Sequence, residues 1–139
     1  MAGFHLEIVT PTKTAFAEQV NGVTLPGQLG EMGILAGHLP LITMLKPGEL
    51  VADGTGGPRY FAVGSGFAEI LKDRVRVLVD ACSGVDEIDI GHAKAELVEL
   101  ESRIDKHDFK TSEELDDATE NAARARARIA LVERATKKG

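Results

Sequence analysis

Cysteine occurs once in these 139 residues, at Cys82, and tryptophan not at all. A single thiol excludes an internal disulfide and removes any reason to place the chain in an oxidising compartment. Long apolar runs are missing too. No stretch approaches the roughly 18 residues that cross a bilayer, and the N-terminal residues lack a secretory signal pattern. The expected location is cytoplasmic, with attachment to a membrane only through a partner. Basic charge is not in excess: the net charge is −6, which argues against nucleic acid as a partner. The four histidines, His5, His38, His92 and His107, form no His-x-His or His-x-x-x-His pair, so no metal is expected.

Catalytic arrangements are equally sparse. Cys82 ends an apolar strand and reads as a small core residue rather than a nucleophile. Ser65, in Gly64-Ser65-Gly66, lacks the strand-to-helix setting of a nucleophile elbow. The glycines of Gly27-Gln28-Leu29-Gly30-Glu31-Met32-Gly33 lead into another strand, whereas a phosphate loop needs a helix N-terminus. Nothing suggests an enzyme acting alone.

What the chain does have is a change of hydrophobic period near Asp86. Before it, apolar residues alternate in short runs, as in Phe4, Leu6 and Ile8 or Val75, Val77 and Val79. After it they recur as Ile90, Ala93, Leu97, Leu100 and Ile104, then as Leu115, Ala118, Ala122, Ala125, Ile129 and Val132. A period of two belongs to strands, and 3-4 spacing to a helix with one apolar seam. The expected fold is an N-terminal all-β sandwich of about ten short strands over residues 1–85. A C-terminal antiparallel helical hairpin follows over residues 86–139.

Strands are expected at 4–9, 14–20, 22–25, 30–35, 41–45, 48–52, 59–63, 67–71 and 74–80, with residues 53–57 as a hairpin loop. All five prolines are placed at strand ends. Asp89 is a candidate cap for the first helix, and Thr111 with Glu114 forms a capping box for the second. The short link His107–Lys110 forces the two helices antiparallel. Charge is divided unevenly, at −9 for residues 86–120 and +5 for residues 121–139. The seam of the second helix is mostly alanine, and small side chains contribute little burial energy. A marginal hairpin that can open is the expectation.

The stretch Gly30-Glu31-Met32-Gly33-Ile34-Leu35-Ala36-Gly37-His38-Leu39-Pro40-Leu41 closely resembles the signature of the epsilon subunit of F-type ATP synthases. Met32 and Ala36 depart mildly from the usual leucine and proline. Val9-Thr10-Pro11, Lys46-Pro47-Gly48, the segment from Gly64 to Ile70 and Ile88-Asp89-Ile90-Gly91-His92-Ala93 are further matches in order. The resemblance implies a noncatalytic subunit of the rotary stalk, whose sandwich binds the gamma subunit and sits on the c ring. It would couple proton flow to ATP synthesis at the cytoplasmic face of a bacterial membrane. A generic interaction module of another complex is the alternative.

By the same likeness Glu31 and His38 face the rotor, with Gly30 and Gly33 shaping that surface. The hairpin would inhibit ATP hydrolysis when extended, its basic run Arg124, Arg126, Arg128, Arg134, Lys137 and Lys138 meeting acidic residues of the beta and alpha subunits. Some members bind ATP on the folded hairpin as a regulatory ligand. Ile88, Asp89, Ala93, Arg124 and Arg128 match that motif, while His92, Glu99 and Ser83 depart from it. A weak nucleotide site or none is expected, and no resident cofactor.

Overall fold

The computed structural model describes residues 3–37 and 39–138, apart from the side chains of Lys137 and Lys138. Nine strands are found among the described residues: β1 (Phe4–Val9), β2 (Thr14–Gly27), β3 (Gly30–Leu35), β4 (Leu41–Leu45), β5 (Gly48–Gly54), β6 (Gly57–Val63), β7 (Gly66–Ile70), β8 (Arg74–Val79) and β9 (Cys82–Gly84). A 3-10 turn (Val85–Glu87) leads to two helices, α1 (Ile90–Asp105) and α2 (Ser112–Lys138).

Alternation builds the core as expected. Phe4, Leu6 and Ile8 of β1 point inward beside Val75, Val77 and Val79 of β8, and the two strands run parallel with Leu6 opposite Val75 and Ile8 opposite Val77. Outward positions are partly solvated, the pattern of a strand with one wet face. Phe16 and Phe61 meet edge to face, with ring centroids 5.4 Å apart, and close the core at the other layer.

The strand count differs from the sequence reading in two places. Residues 14–20 and 22–25, expected as separate strands, are one continuous β2. Its register shifts between Val20 and Gly22, so the Asn21-Gly22 step is a bulge that bends the strand rather than a turn that ends it. β2 therefore serves both layers. Its first half pairs with β1, and its second half lies between β3 and β5. The ninth strand, β9, was not expected. Cys82, Ser83 and Gly84 pair with Val63, Ala62 and Phe61 at the edge of β6, and three residues are too few to show a period.

The hairpin loop at 53–57 is also tighter than expected. Gly54 pairs with Gly57, leaving Thr55-Gly56 as a two-residue turn. Pro26 lies inside β2, not at its end.

Asp89 caps α1 by accepting from the His92 amide at 3.0 Å. At α2 only half of the capping box forms as expected: Thr111 Oγ1 accepts from the Glu114 amide at 3.1 Å. The Glu114 carboxylate reaches one residue further back, to the Lys110 amide at 2.9 Å. The helices pack antiparallel through Leu100, Ala118 and Ala122, with Leu97, Ile104 and Phe109 half-buried around them. Beyond that seam, Leu131 of α2 is buried, whereas Ile129 and Val132 are only half-buried. The reason is a second packing surface, because the distal half of α2 also lies on β5 and β6.

Candidate functional site

Two features stand out on this scaffold: an apolar rim at one end of the sandwich, and the charged contacts that seat α2 against the other side. The rim is built by the β2–β3 turn and by β4. Gly27 pairs with Gly30, so Gln28 and Leu29 form a two-residue turn, and Gly30 adopts φ +136°, a backbone geometry that favours glycine. Leu29 at the tip is fully exposed.

On β4 the outward residues Ile42 and Met44 are apolar as well, at 66% and 53% exposure. Met44 stands opposite Phe67 of β7, itself partly exposed. Between turn and strand lies an open cleft of about 460 Å³ whose walls include Leu29, Glu31, Met32, Ile42 and Met44. A monomeric surface rarely leaves so many large apolar side chains together, and such a patch marks a contact site.

Glu31 and Gly33 point outward on β3 at this rim, both exposed. Among the described residues Glu31 has no ion-pair partner, so its carboxylate faces solvent beside the apolar tip. Gly33 leaves open space where a side chain would stand. His38 lies outside the described residues. The apolar members Leu29, Ile42 and Met44 were missed in the sequence. Their signal was there, since β4 (Leu41-Ile42-Thr43-Met44-Leu45) is apolar on both faces, which a half-solvated strand does not need.

Among the described side chains of α2, the four arginines are engaged. Arg124 bonds Asp80, at the end of β8, together with Glu120 (3.5 Å) and Asn121 (3.1 Å) of its own helix. Arg128 pairs with Glu96 of α1 at 2.7 Å, and Arg126 with Glu101 of α1 at 3.2 Å. Arg134 pairs with Glu49 of β5 and stacks on Tyr60, its guanidinium 5.5 Å from the ring centre. Ser65 donates to Glu120.

The five residues of the expected nucleotide motif are not brought around one space. Arg124 and Arg128 border a cleft with Gly64, Ala81 and Ser83, but its volume is about 10 Å³. Small-ligand sites run to about 300 Å³ or more. Asp89 is occupied as the α1 cap, Ile88 precedes that helix, and Ala93 is buried. Both arginines are paired with carboxylates of this chain, Arg124 with Asp80 and Arg128 with Glu96.

No group of three or more His, Cys, Asp or Glu residues is placed to hold a metal among the described residues. Burial of Cys82, helped by the charge of Glu87 and opposed by Lys13, pushes its thiol up from 9.0 to about 11. Nearby, the Gly84 amide and then Lys13 hydrogen-bond the Glu87 carboxylate and hold it below its ordinary 4.5.

A β sandwich with an exposed apolar rim and a helical hairpin folded on its flank is the architecture of a binding subunit. Residues 3–84 match the family described as ATP synthase, Delta/Epsilon chain, beta-sandwich domain. The ATP synthase epsilon chain of Geotalea uraniireducens is 42% identical over 101 residues, covering 73% of each chain. That of Bradyrhizobium sp. (strain BTAi1) is 37% identical over 120 residues, covering 86% of this chain and 87% of the relative.

Among solved structures, a chain of the Euglena gracilis mitochondrial ATP synthase in its OSCP, F1 and c-ring assembly shares the fold. Its TM-score is 0.77 and its identity 22%, with 98% of this chain and 82% of that chain covered. The chain belongs to the ATP synthase delta/epsilon family, as an epsilon-type, noncatalytic subunit. Among the described residues no helix is long and apolar enough to cross a membrane.

Proposed function

We propose that the chain is a central-stalk subunit whose sandwich couples a proton-driven c ring to the gamma subunit, and whose hairpin restrains ATP hydrolysis. The observation that carries this reading is the rim: Leu29, Ile42, Met44 and Phe67 are exposed together on a noncatalytic family member. An apolar patch with an exposed carboxylate at its edge suits a partner that offers an apolar groove and polar loop donors. Glu31 would take those loop donors and His38 the stalk contact, with Gly30 and Gly33 keeping the surface low. The Euglena and Tetrahymena thermophila neighbours come from c-ring and central-stalk assemblies, which agrees with this reading.

In the extended state the released Arg124, Arg126, Arg128 and Arg134 would meet acidic beta and alpha subunits. The subunit would work peripherally at the cytoplasmic face of a bacterial membrane, held there by its partners. No resident cofactor is proposed, and the closed arginine cleft favours a hairpin that docks without nucleotide.

The test is capture of gamma subunit and c ring by the purified chain. Ile42→Asp with Met44→Asp places two charges in the rim and should weaken capture at least tenfold, since each unpaired buried charge costs several kcal/mol. The circular dichroism of the sandwich should be unchanged, because both side chains point outward. Capture at wild-type level by that variant would overturn the rim as the docking surface.

A further inference from the structure

We propose that Met44 is a modification site: a peroxide converts its exposed thioether to the sulfoxide, which turns the rim polar and loosens its partner, and a dithiol-dependent sulfoxide reductase reverses the change. The loosening rests on the docking reading of the rim above. The selection of Met44 does not.

That selection follows from comparing the sulfurs of the described residues Met32, Met44 and Cys82. Met44 points outward on β4 and is 53% exposed, with Ile42 on the same face. Met32 lines the same cleft but packs partly against the core. Its Sδ accepts from Thr43 Oγ1 at 3.5 Å and lies close over Gly27, where an added Cβ would stand 3.1 Å away. A hydrogen bond and a backbone neighbour therefore crowd the sulfur that an oxygen atom would have to reach. Cys82 is half-buried, and burial pushes its thiol up to about 11, which leaves little of the thiolate that attacks peroxides. A thioether has no proton to lose, so Met44 stays oxidisable across the ordinary pH range.

The step is a two-electron oxidation. A lone pair of Met44 Sδ attacks one peroxide oxygen, and the S–O bond forms as the O–O bond breaks. The proton of the transferred oxygen passes to the departing one, which leaves as water or an alcohol. Sulfur is oxidised and the peroxide reduced. In the return step the sulfoxide oxygen leaves as water while two thiols of the reductase become a disulfide.

The consequence is set by where the sulfur sits. Met44 is the cross-strand neighbour of Phe67 and shares the cleft with Leu29 and Ile42. Cross-strand side chains start about 5 Å apart, so the new dipole arises in the middle of the apolar patch. Once a partner covers that patch, the sulfoxide oxygen is a buried acceptor. An acceptor left without a donor weakens binding roughly tenfold.

The purified full chain tests this. It is treated with hydrogen peroxide, the peroxide is removed, and the modified peptides are mapped by mass spectrometry before gamma subunit and c ring are offered. Met44 should gain an oxygen at least about threefold faster than Met32, with Cys82 unmodified over the same period. Capture should fall roughly tenfold and return after treatment with the two epimer-specific sulfoxide reductases and dithiothreitol. Each variant is compared with its own untreated sample: Met44→Leu should lose nothing further to peroxide, whereas Met32→Leu should stay sensitive.

Faster oxidation of Met32 or of Cys82 would overturn the site. So would a loss of capture that the reductases do not reverse, because a lesion other than the sulfoxide would then be acting. If capture survives full oxidation of Met44 while Ile42→Asp with Met44→Asp weakens it, the proposal falls and the rim reading stands. If neither treatment weakens capture, the rim reading falls and takes the loosening with it.

Discussion

At the scale of single residues, the chain's one thiol shows how burial decides chemistry. Cys82 pairs in β9 against Val63, and loss of hydration pushes its thiol up to about 11. At pH 8 the thiolate, which is the reactive form, is depleted roughly a hundredfold relative to a thiol at 9. Alkylation by iodoacetamide should slow by about that factor against a free-cysteine peptide, and mass spectrometry of the modified chain checks it. The sign for stability follows: a folded value above the unfolded one contributes below pH 9.0 and is lost as pH rises through about 11. A neighbour at the end of the following 3-10 turn behaves oppositely. Glu87 is held low by the Gly84 amide and Lys13, so what it adds to the joint between sandwich and hairpin is present above pH 4.5 and fades in acid.

Among elements, α2 carries two jobs on two faces. Ala118 and Ala122 receive α1, and Leu131 meets the sandwich side. Leu131→Ala should therefore weaken docking by about 2–3 kcal/mol, near the low end for a buried leucine. Spin labels at Thr55→Cys and Ala130→Cys, both exposed, in a Cys82→Ser background would read this as a dominant longer distance, with β1 and β8 amides still protected from exchange. The sequence made the helices, their caps and the inward faces of β1 and β8 legible, because local period and capping chemistry act over a few residues. It did not make β9 legible, nor the continuity of β2, since a three-residue edge and a bulge are decided by partners distant in the chain. The same holds for the site. Glu31, Gly30 and Gly33 were singled out by their motif, and Arg124 and Arg128 by the family resemblance; the structure puts the first three on the β2–β3 hairpin and the two arginines in ion pairs. Asp80, Glu49 and Ser65 were not, because nothing local to a strand end announces which helix will settle on it. The closely spaced pair Gly64 and Gly66 was the one hint of such an approach.

For the whole molecule, sandwich and hairpin are unequal. The sandwich holds the large core, from Phe4 through Val79, whereas the helix pair has a small cluster centred on Leu100, Ala118 and Ala122. Removing the residues after Asp86 should leave the sandwich folded and able to join its stalk. ATP hydrolysis by the reassembled enzyme should rise severalfold, and a steady-state phosphate-release assay compares the two forms. Equal rates would argue against any brake in the helices.

The path of β2 has a mechanical corollary. This single strand runs from its pairing with β1, across the bulge at Gly22, to the exposed tip at Leu29. One strand thus belongs to both layers. A twist imposed at the Leu29 end would run along its backbone to the pairing with β1, so a load taken up at the rim would be shared by the two layers.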